Sequence, residues 1–159
     1  MKKSPLKRSK IGLRRSQISV VGHSTTTEVK KRIQALLREI VMLRDKKCIL
    51  NGIRCNHSVG MEGVVWQAEH LVERSNSATF AEPRLIVLVC RNCHGWKHFT
   101  KSNHDQYDEW VRSRISKDRV ALWDRCRAEK WSYSSGKSYD WKLAEAALIQ
   151  ELSGLKDNQ

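Results

Sequence analysis

Residues 89–99 read VCRNCHGWKHF and place four metal-binding side chains within nine positions. They are two cysteines three positions apart and two histidines four positions apart: Cys90, Cys93, His94 and His98. A cysteine pair of this spacing after a strand can bring two thiolates to one zinc ion at about 2.3 Å. Histidines at positions i and i+4 of a helix share one face, where two imidazoles can hold a second, divalent metal. The stretch therefore predicts a strand, a zinc-binding turn and a helix.

The other half of the zinc site has to come from elsewhere, and Cys48 and Cys55 are the candidates. Six residues separate them, and the strong turn signal Asn51-Gly52 can bring the two sulfurs together. We favour a structural zinc held by four thiolates, which would supply part of the folding energy. Two alternatives stay open: three thiolates with the His57 imidazole, or buried thiols without metal.

The composition indicates a polyanionic partner. The 159-residue chain carries 30 Lys and Arg against 17 acidic residues, a formal net charge of +13. Nucleic acid is the first candidate and an anionic membrane surface the second. The sequence shows neither an apolar run of about 18 residues nor the apolar core of a signal peptide. We expect a cytoplasmic protein without a membrane span, in which reduced cysteines favour metal binding over disulfides.

The first residues are strongly basic. Residues 1–15 contain seven Lys or Arg and no acidic residue, and Pro5 and Gly12 interrupt regular structure. We predict a flexible arm over residues 1–22 that lies along phosphates, with a solvated tail as the alternative. The candidate phosphate contacts in this arm are Lys7, Arg8, Arg14 and Arg15.

Hydrophobic periodicity predicts helices on both sides of two strands. Thr25 and Glu28 have the spacing of a capping box, and apolar residues recur at helical spacing over 29–41. The segments 63–72 and 84–89 have the length and composition of strands. Helical structure in some form is also predicted from after Cys93 to about Ser113, and two further helices are predicted over about 117–129 and about 140–153.

The segment QAEH, residues 67–70, carries polar groups at the end of the first predicted strand. Glu69 can supply a carboxylate ligand, and His70 can act as a general base on water because histidine titrates near neutrality. A surface pair at a strand end is the alternative. Arg74 and Arg84 flank this segment and can clamp phosphate oxygens or remain solvated surface charges.

The predicted elements follow one another in the order of a ββα unit. A strand that ends in Glu-His is followed by a loop, a second strand, the cysteine pair and a helix that carries histidine. Here the sequence resembles the HNH or His-Me finger endonucleases, in the subtype with a four-cysteine zinc. The residues that carry the resemblance are Glu69, His70, Cys90, Cys93, His94 and His98. The resemblance implies an α+β fold with a small ββα-metal core, a structural Zn²⁺, a catalytic Mg²⁺ or Mn²⁺, and flanking helices.

The resemblance also implies roles for individual residues. His70 would be the general base, Glu69 and His94 would hold the catalytic divalent metal, and His98 would be its third ligand. The sequence departs from the family at its central asparagine, whose position holds Leu85. Asn76, in the loop between the strands, is the candidate to orient the catalytic histidine instead.

A narrower resemblance is to the phage NinG-type recombination proteins, relatives of junction-cleaving endonucleases. It is carried by SPLKRS (4–9), AEHLVERSNSAT (68–79) and VCRNCH (89–94), and it covers residues 4–9 and 45–112. It implies a phage-encoded protein of a bacterial host that acts on branched DNA. A homodimer is expected, because resolving a junction needs paired cuts.

These patterns together predict a DNA endonuclease that hydrolyses phosphodiester bonds, selectively in branched recombination intermediates. The predicted parts are the arm at 1–22, a nuclease core with its preceding helix at 23–115, and a helical extension at 116–159. The alternative is a non-catalytic, zinc-stabilised protein that binds nucleic acid or assists recombination. That alternative needs the cysteines and the basic surface but not Glu69, His70, His94 and His98.

Overall fold

The computed structural model describes residues 25–72, 77–128 and 139–158, with backbone alone at 77 and 78. Its helices and strands are α1 Thr26–Asp45, β1 Trp66–His70, α2 Ser77–Phe80, a 3₁₀ turn at Pro83–Leu85, β2 Ile86–Cys90, α3 Arg91–Lys97, α4 Lys101–Arg112, α5 Lys117–Ala128 and α6 Trp141–Asp157. Helices around a two-stranded antiparallel sheet are compatible with the predicted α+β class.

Several predicted features lie outside the described residues. They are the basic arm with Lys7, Arg8, Arg14 and Arg15, together with Arg74 and Asn76 of the loop between the strands. The division of the chain into three parts stays a prediction. Among the described helices, none combines the length and the apolar composition needed to cross a membrane.

The first helix begins where its capping box predicts. The Thr25 hydroxyl accepts a hydrogen bond from the Glu28 N–H at 3.3 Å, and the Glu28 carboxylate accepts one from the Thr25 N–H at 2.8 Å. Both bonds satisfy backbone donors that the first turn leaves without partners. The predicted apolar stripe is buried in the core, which confirms the helical periodicity: Val29, Ile33, Leu37, Ile40 and Val41.

β1 and β2 pair in an antiparallel register that places Glu69 opposite Val87 and His70 opposite Ile86. β1 is shorter than the predicted segment 63–72, and β2 begins and ends later than the predicted segment 84–89. β2 begins later because Pro83 opens a 3₁₀ turn, which the Glu82 carboxylate caps by accepting the N–H of Arg84 at 3.1 Å. All five residues of β2 are buried, as its continuous apolar run predicts.

The edge of β2 that faces away from β1 is buried, so its backbone groups need partners other than a third strand. The Asp45 carboxylate, at the end of α1, accepts the N–H of Leu88 at 3.0 Å. The Leu88 carbonyl accepts the N–H of Ile49 at 2.8 Å, and the Arg44 guanidinium donates to the Ile86 carbonyl at 2.7 Å. The end of α1 therefore takes the place of a neighbouring strand.

The predicted helical stretch from about Cys93 to about Ser113 is divided into two helices. α3 starts earlier, directly after Cys90, and α4 starts again after Thr100. The Thr100 hydroxyl accepts the N–H of Asn103 at 3.0 Å, and this N-cap makes a new helix start more favourable than continuation. His98 is consequently the residue that caps α3 rather than one in its interior.

The last two helices close the core near their predicted limits. Trp123 of α5 is fully buried, with the guanidinium groups of Arg112 and Arg127 over its ring at 4.4 and 4.8 Å. α6 packs along α1, and an ion pair between Arg32 and Glu145 joins the two helices. α6 therefore covers α1, and α5 packs against the 3₁₀ turn that precedes β2.

We predict that Asp45→Ala lowers the free energy of unfolding by about 1–3 kcal/mol, because the buried N–H of Leu88 loses its acceptor. Urea denaturation at neutral pH measures the change. Asp45→Asn is the control, since its amide oxygen can still accept, and it should cost less. Equal stability of Asp45→Ala and wild type would show that this edge does not depend on the carboxylate.

Candidate metal centres and catalytic histidine

Two groups of possible metal ligands each include residues of α3. The first is formed by the sulfurs of Cys48, Cys55, Cys90 and Cys93, all within 4.8 Å of one another. A zinc ion with four thiolates about 2.3 Å away has sulfur–sulfur edges of about 3.8 Å, so a small contraction would close this shell. The predicted cysteine cluster is present and could hold a metal ion such as zinc.

The loop after α1 turns sharply between its two cysteines. The N–H of Asn51 donates to the Cys48 carbonyl at 2.8 Å, and the N–H of Gly52 donates to the Cys55 carbonyl at 2.7 Å. Gly52 has a φ of 80°, a left-handed conformation that favours glycine. The His57 carbonyl accepts the Cys48 N–H at 3.0 Å, so this residue supports the loop through its backbone and is not in the ligand group.

The sulfurs of the cluster perturb one another strongly. A hydrogen bond from the Cys93 thiol, helped by the backbone N–H groups of Cys90 and Leu50, lowers the pKa of Cys48 to about 5. The same bond raises the pKa of Cys93, and burial raises that of Cys55 to about 11. Without a cation the four thiols would therefore not all ionise, and a bound metal ion would favour all four thiolates.

The second group consists of Glu69 on β1 with His94 and His98 from α3 and its end, and their ligand atoms also lie within 4.8 Å of one another. The distance from His94 Nε2 to Glu69 Oε2 is 2.9 Å, and the two imidazole centroids are 4.7 Å apart. Glu69 is only 6% exposed, whereas His98 is exposed to solvent. The group thus extends from a buried carboxylate to a solvent-exposed imidazole, and its mixed oxygen and nitrogen ligands suit several divalent metals.

Lys97 also belongs to this site, although the sequence did not predict it. Its ammonium contacts Glu69 Oε1, on the opposite side of the carboxylate from His94. The lysine is 5% exposed, and its Nζ lies 4.7 Å from the ring centroid of Tyr107. Its position four residues after Cys93 was an available signal, because that spacing places it on the buried face of α3.

The His70 ring is oriented by a backbone group. Its Nε2 lies 3.1 Å from the carbonyl oxygen of Phe80, the last residue of α2. A carbonyl can only accept, so Nε2 carries the hydrogen and the lone pair of the neutral ring lies on Nδ1. The rings of Phe80 and His70 also contact at a centroid distance of 5.5 Å. The sequence could not indicate this partner because any residue type offers a carbonyl.

Arg84 and Leu85 both make contacts within the fold. Arg84 makes a two-point ion pair with Glu82, with distances of 2.8 and 2.9 Å, so a phosphate would have to compete with this carboxylate. Leu85, where the resemblance described above leads us to expect an asparagine, is buried in the core. Its carbonyl accepts the N–H of Leu71 at 2.9 Å, which extends the hydrogen bonding beyond the last pair of the sheet.

No protein-family model, curated protein or solved structure matches this chain. The chemistry of the site is therefore inferred from its own residues: the cysteine cluster, the group of Glu69, His94 and His98, and the oriented His70 ring.

We predict one zinc ion per chain in protein purified without chelators, and its loss in Cys93→Ser because three thiolates bind zinc less tightly. Elemental analysis by mass spectrometry measures the metal content. Cys126→Ser is the matched control: this cysteine is buried in α5 outside the cluster, so the variant should retain the metal. A wild-type chain without zinc, or equal loss in both variants, would contradict the assignment.

Proposed function

We propose that this protein is an HNH-type, metal-dependent DNA endonuclease. The observation that carries the proposal is the grouping of Glu69, His94 and His98, with His70 as the next residue after Glu69 on β1 and its ring held by the Phe80 carbonyl. Glu69 and His70 are consecutive on β1, so one peptide unit joins the proposed metal ligand to the proposed base. A zinc-binding module without catalysis would not need this arrangement.

The residues proposed to hold the catalytic cation are Glu69, His94 and His98. Mg²⁺ or Mn²⁺ bound there would neutralise charge that develops on the phosphate and would stabilise the leaving 3′ oxygen. The solvent exposure of His98 leaves this side of the group accessible to a substrate as large as DNA. Glu69 itself is buried, and the Lys97 ammonium on its Oε1 helps to hold the carboxylate in place.

His70 is proposed to take the proton of the attacking water. The Phe80 carbonyl holds the Nε2–H, which directs the basic lone pair of the neutral ring to Nδ1. Water that loses its proton to Nδ1 forms the new bond to phosphorus, and the bond from phosphorus to the 3′ oxygen breaks. We propose that the Phe80 carbonyl orients this ring, while the role suggested for Asn76, which lies outside the described residues, stays a prediction.

DNA is the proposed substrate because the chain has an excess of positive charge, a formal +13. Backbone phosphates are the groups that such a charge binds, largely independently of base sequence. Selectivity for branched DNA, an origin in phage recombination and a homodimer that makes paired cuts remain parts of this proposal. They rest on the resemblance described above and on the basic composition.

We predict metal-dependent cleavage of DNA that His70→Ala reduces by about 10²–10⁴-fold, the usual contribution of a general base. Matched duplex, flap and four-way-junction substrates are incubated with Mg²⁺, with Mn²⁺ or with EDTA. His104→Ala, which changes a histidine on α4 outside the ligand group, should cleave like wild type. The preferred substrate identifies the biological task.

DNA binding by gel shift separates the two candidate functions in the same samples. His70→Ala should bind DNA as wild type does, because the base contributes to the reaction and not to the charge of the surface. Tight binding by wild type with no cleavage in either metal would refute the endonuclease proposal. The result would favour a zinc-stabilised nucleic-acid-binding protein.

A further inference from the structure

We propose that Lys97 is a positioning residue that holds Glu69 in the absence of metal and weakens the binding of divalent cations at this centre. The inference rests on the part of the proposed function that assigns a metal to Glu69, His94 and His98. Lys97 is a fourth side chain at that centre. The three ligands bind the cation, whereas Lys97 lowers the affinity of the centre for it.

The two oxygens of the Glu69 carboxylate have different partners. Oε1 contacts the Lys97 ammonium, while Oε2 lies 2.9 Å from His94 Nε2. The ammonium therefore occupies one side of the carboxylate and leaves the other side toward the imidazoles. This arrangement favours a cation that binds through a single carboxylate oxygen.

Burial makes the charge of Lys97 important. Both side chains are about nineteen-twentieths buried, Glu69 with 6% and Lys97 with 5% exposure. A buried carboxylate without a positive partner is strongly unfavourable, so the ammonium stabilises the metal-free protein. Tyr107 packs against the other side of the ammonium with its ring, which adds a cation–π contact but no compensating negative charge.

Two effects on metal binding oppose each other. Lys97 orients Glu69, and loss of such an orienting partner commonly weakens metal binding by about 10–100-fold. Its positive charge also repels a divalent cation that shares the same carboxylate, and it removes most of the unpaired negative charge that the cation would otherwise neutralise. At an effective dielectric constant of about 20, repulsion between the ammonium and a divalent cation on one carboxylate lowers the affinity by at least about 10³-fold. The repulsion is the larger effect, so Lys97 lowers the affinity on balance.

The test is Mn²⁺ binding to zinc-loaded protein at constant pH, measured by the electron paramagnetic resonance of free Mn²⁺. We expect Lys97→Met to bind Mn²⁺ at least about tenfold more tightly than wild type, because the repulsion is lost. Without Mn²⁺, this variant should melt at a lower temperature than wild type, and saturating Mn²⁺ should reduce the difference. Lys97→Gln removes the charge but keeps a hydrogen-bond donor, so it tests the same expectation if Lys97→Met does not fold.

Two controls assign the effect to the charge and to the site. Lys97→Arg should bind Mn²⁺ like wild type, and Lys101→Met, which removes an exposed lysine at the start of α4, should also do so. Equal or weaker Mn²⁺ binding by the uncharged variants, with binding by wild type intact, would overturn the role of Lys97 alone. An absence of Mn²⁺ binding in wild type and in all variants would overturn the metal centre and the proposed function with it.

Discussion

Four cysteine sulfurs converge where β2 passes into α3, and this convergence joins the loop after α1 to the start of the helix that carries the proposed metal ligands. Cys90 is the N-cap residue of α3 and Cys93 lies within its first turn, so a metal ion held by the sulfurs would anchor the start of the helix. The direction of α3 in turn determines where His94 and Lys97 meet Glu69. A metal ion bound by the four cysteines would therefore help to position the group of Glu69, His94 and His98, although the two groups share no ligand.

The central carboxylate connects the sheet to the helix. Glu69 comes from β1, whose register with β2 is set by backbone hydrogen bonds, and its partners come from α3. One oxygen of the carboxylate contacts an imidazole and the other contacts a buried ammonium, so both oxygens have partners before any cation binds. The same strand presents His70 as the next residue, with a ring held by the Phe80 carbonyl. Preorganisation of this kind lowers the cost of assembling a reactive site.

Much of the fold and of the site could be predicted because the relevant signals are local. The capping box at Thr25 predicts the start of α1, and the apolar run predicts the burial of β2. The spacing of the cysteines predicts that their sulfurs lie close together. The break between α3 and α4 was missed because the N-cap at Thr100 competes with helix continuation, and sequence spacing alone does not settle that competition. Lys97 was missed because lysine is usually exposed, and its burial depends on the distant Glu69. The Phe80 carbonyl could not be found because a backbone group leaves no trace in side-chain identity.

Anomalous diffraction from crystals grown with Mn²⁺ tests the metal arrangement most directly, because data at the zinc and manganese absorption edges distinguish the two ions. We expect a zinc peak among the four cysteine sulfurs and a separate manganese peak between Glu69, His94 and His98. The Lys97 ammonium should remain on the carboxylate oxygen that faces away from the manganese. Absence of manganese from this group, with zinc present among the cysteines, would contradict the proposed catalytic centre and leave a zinc-stabilised fold.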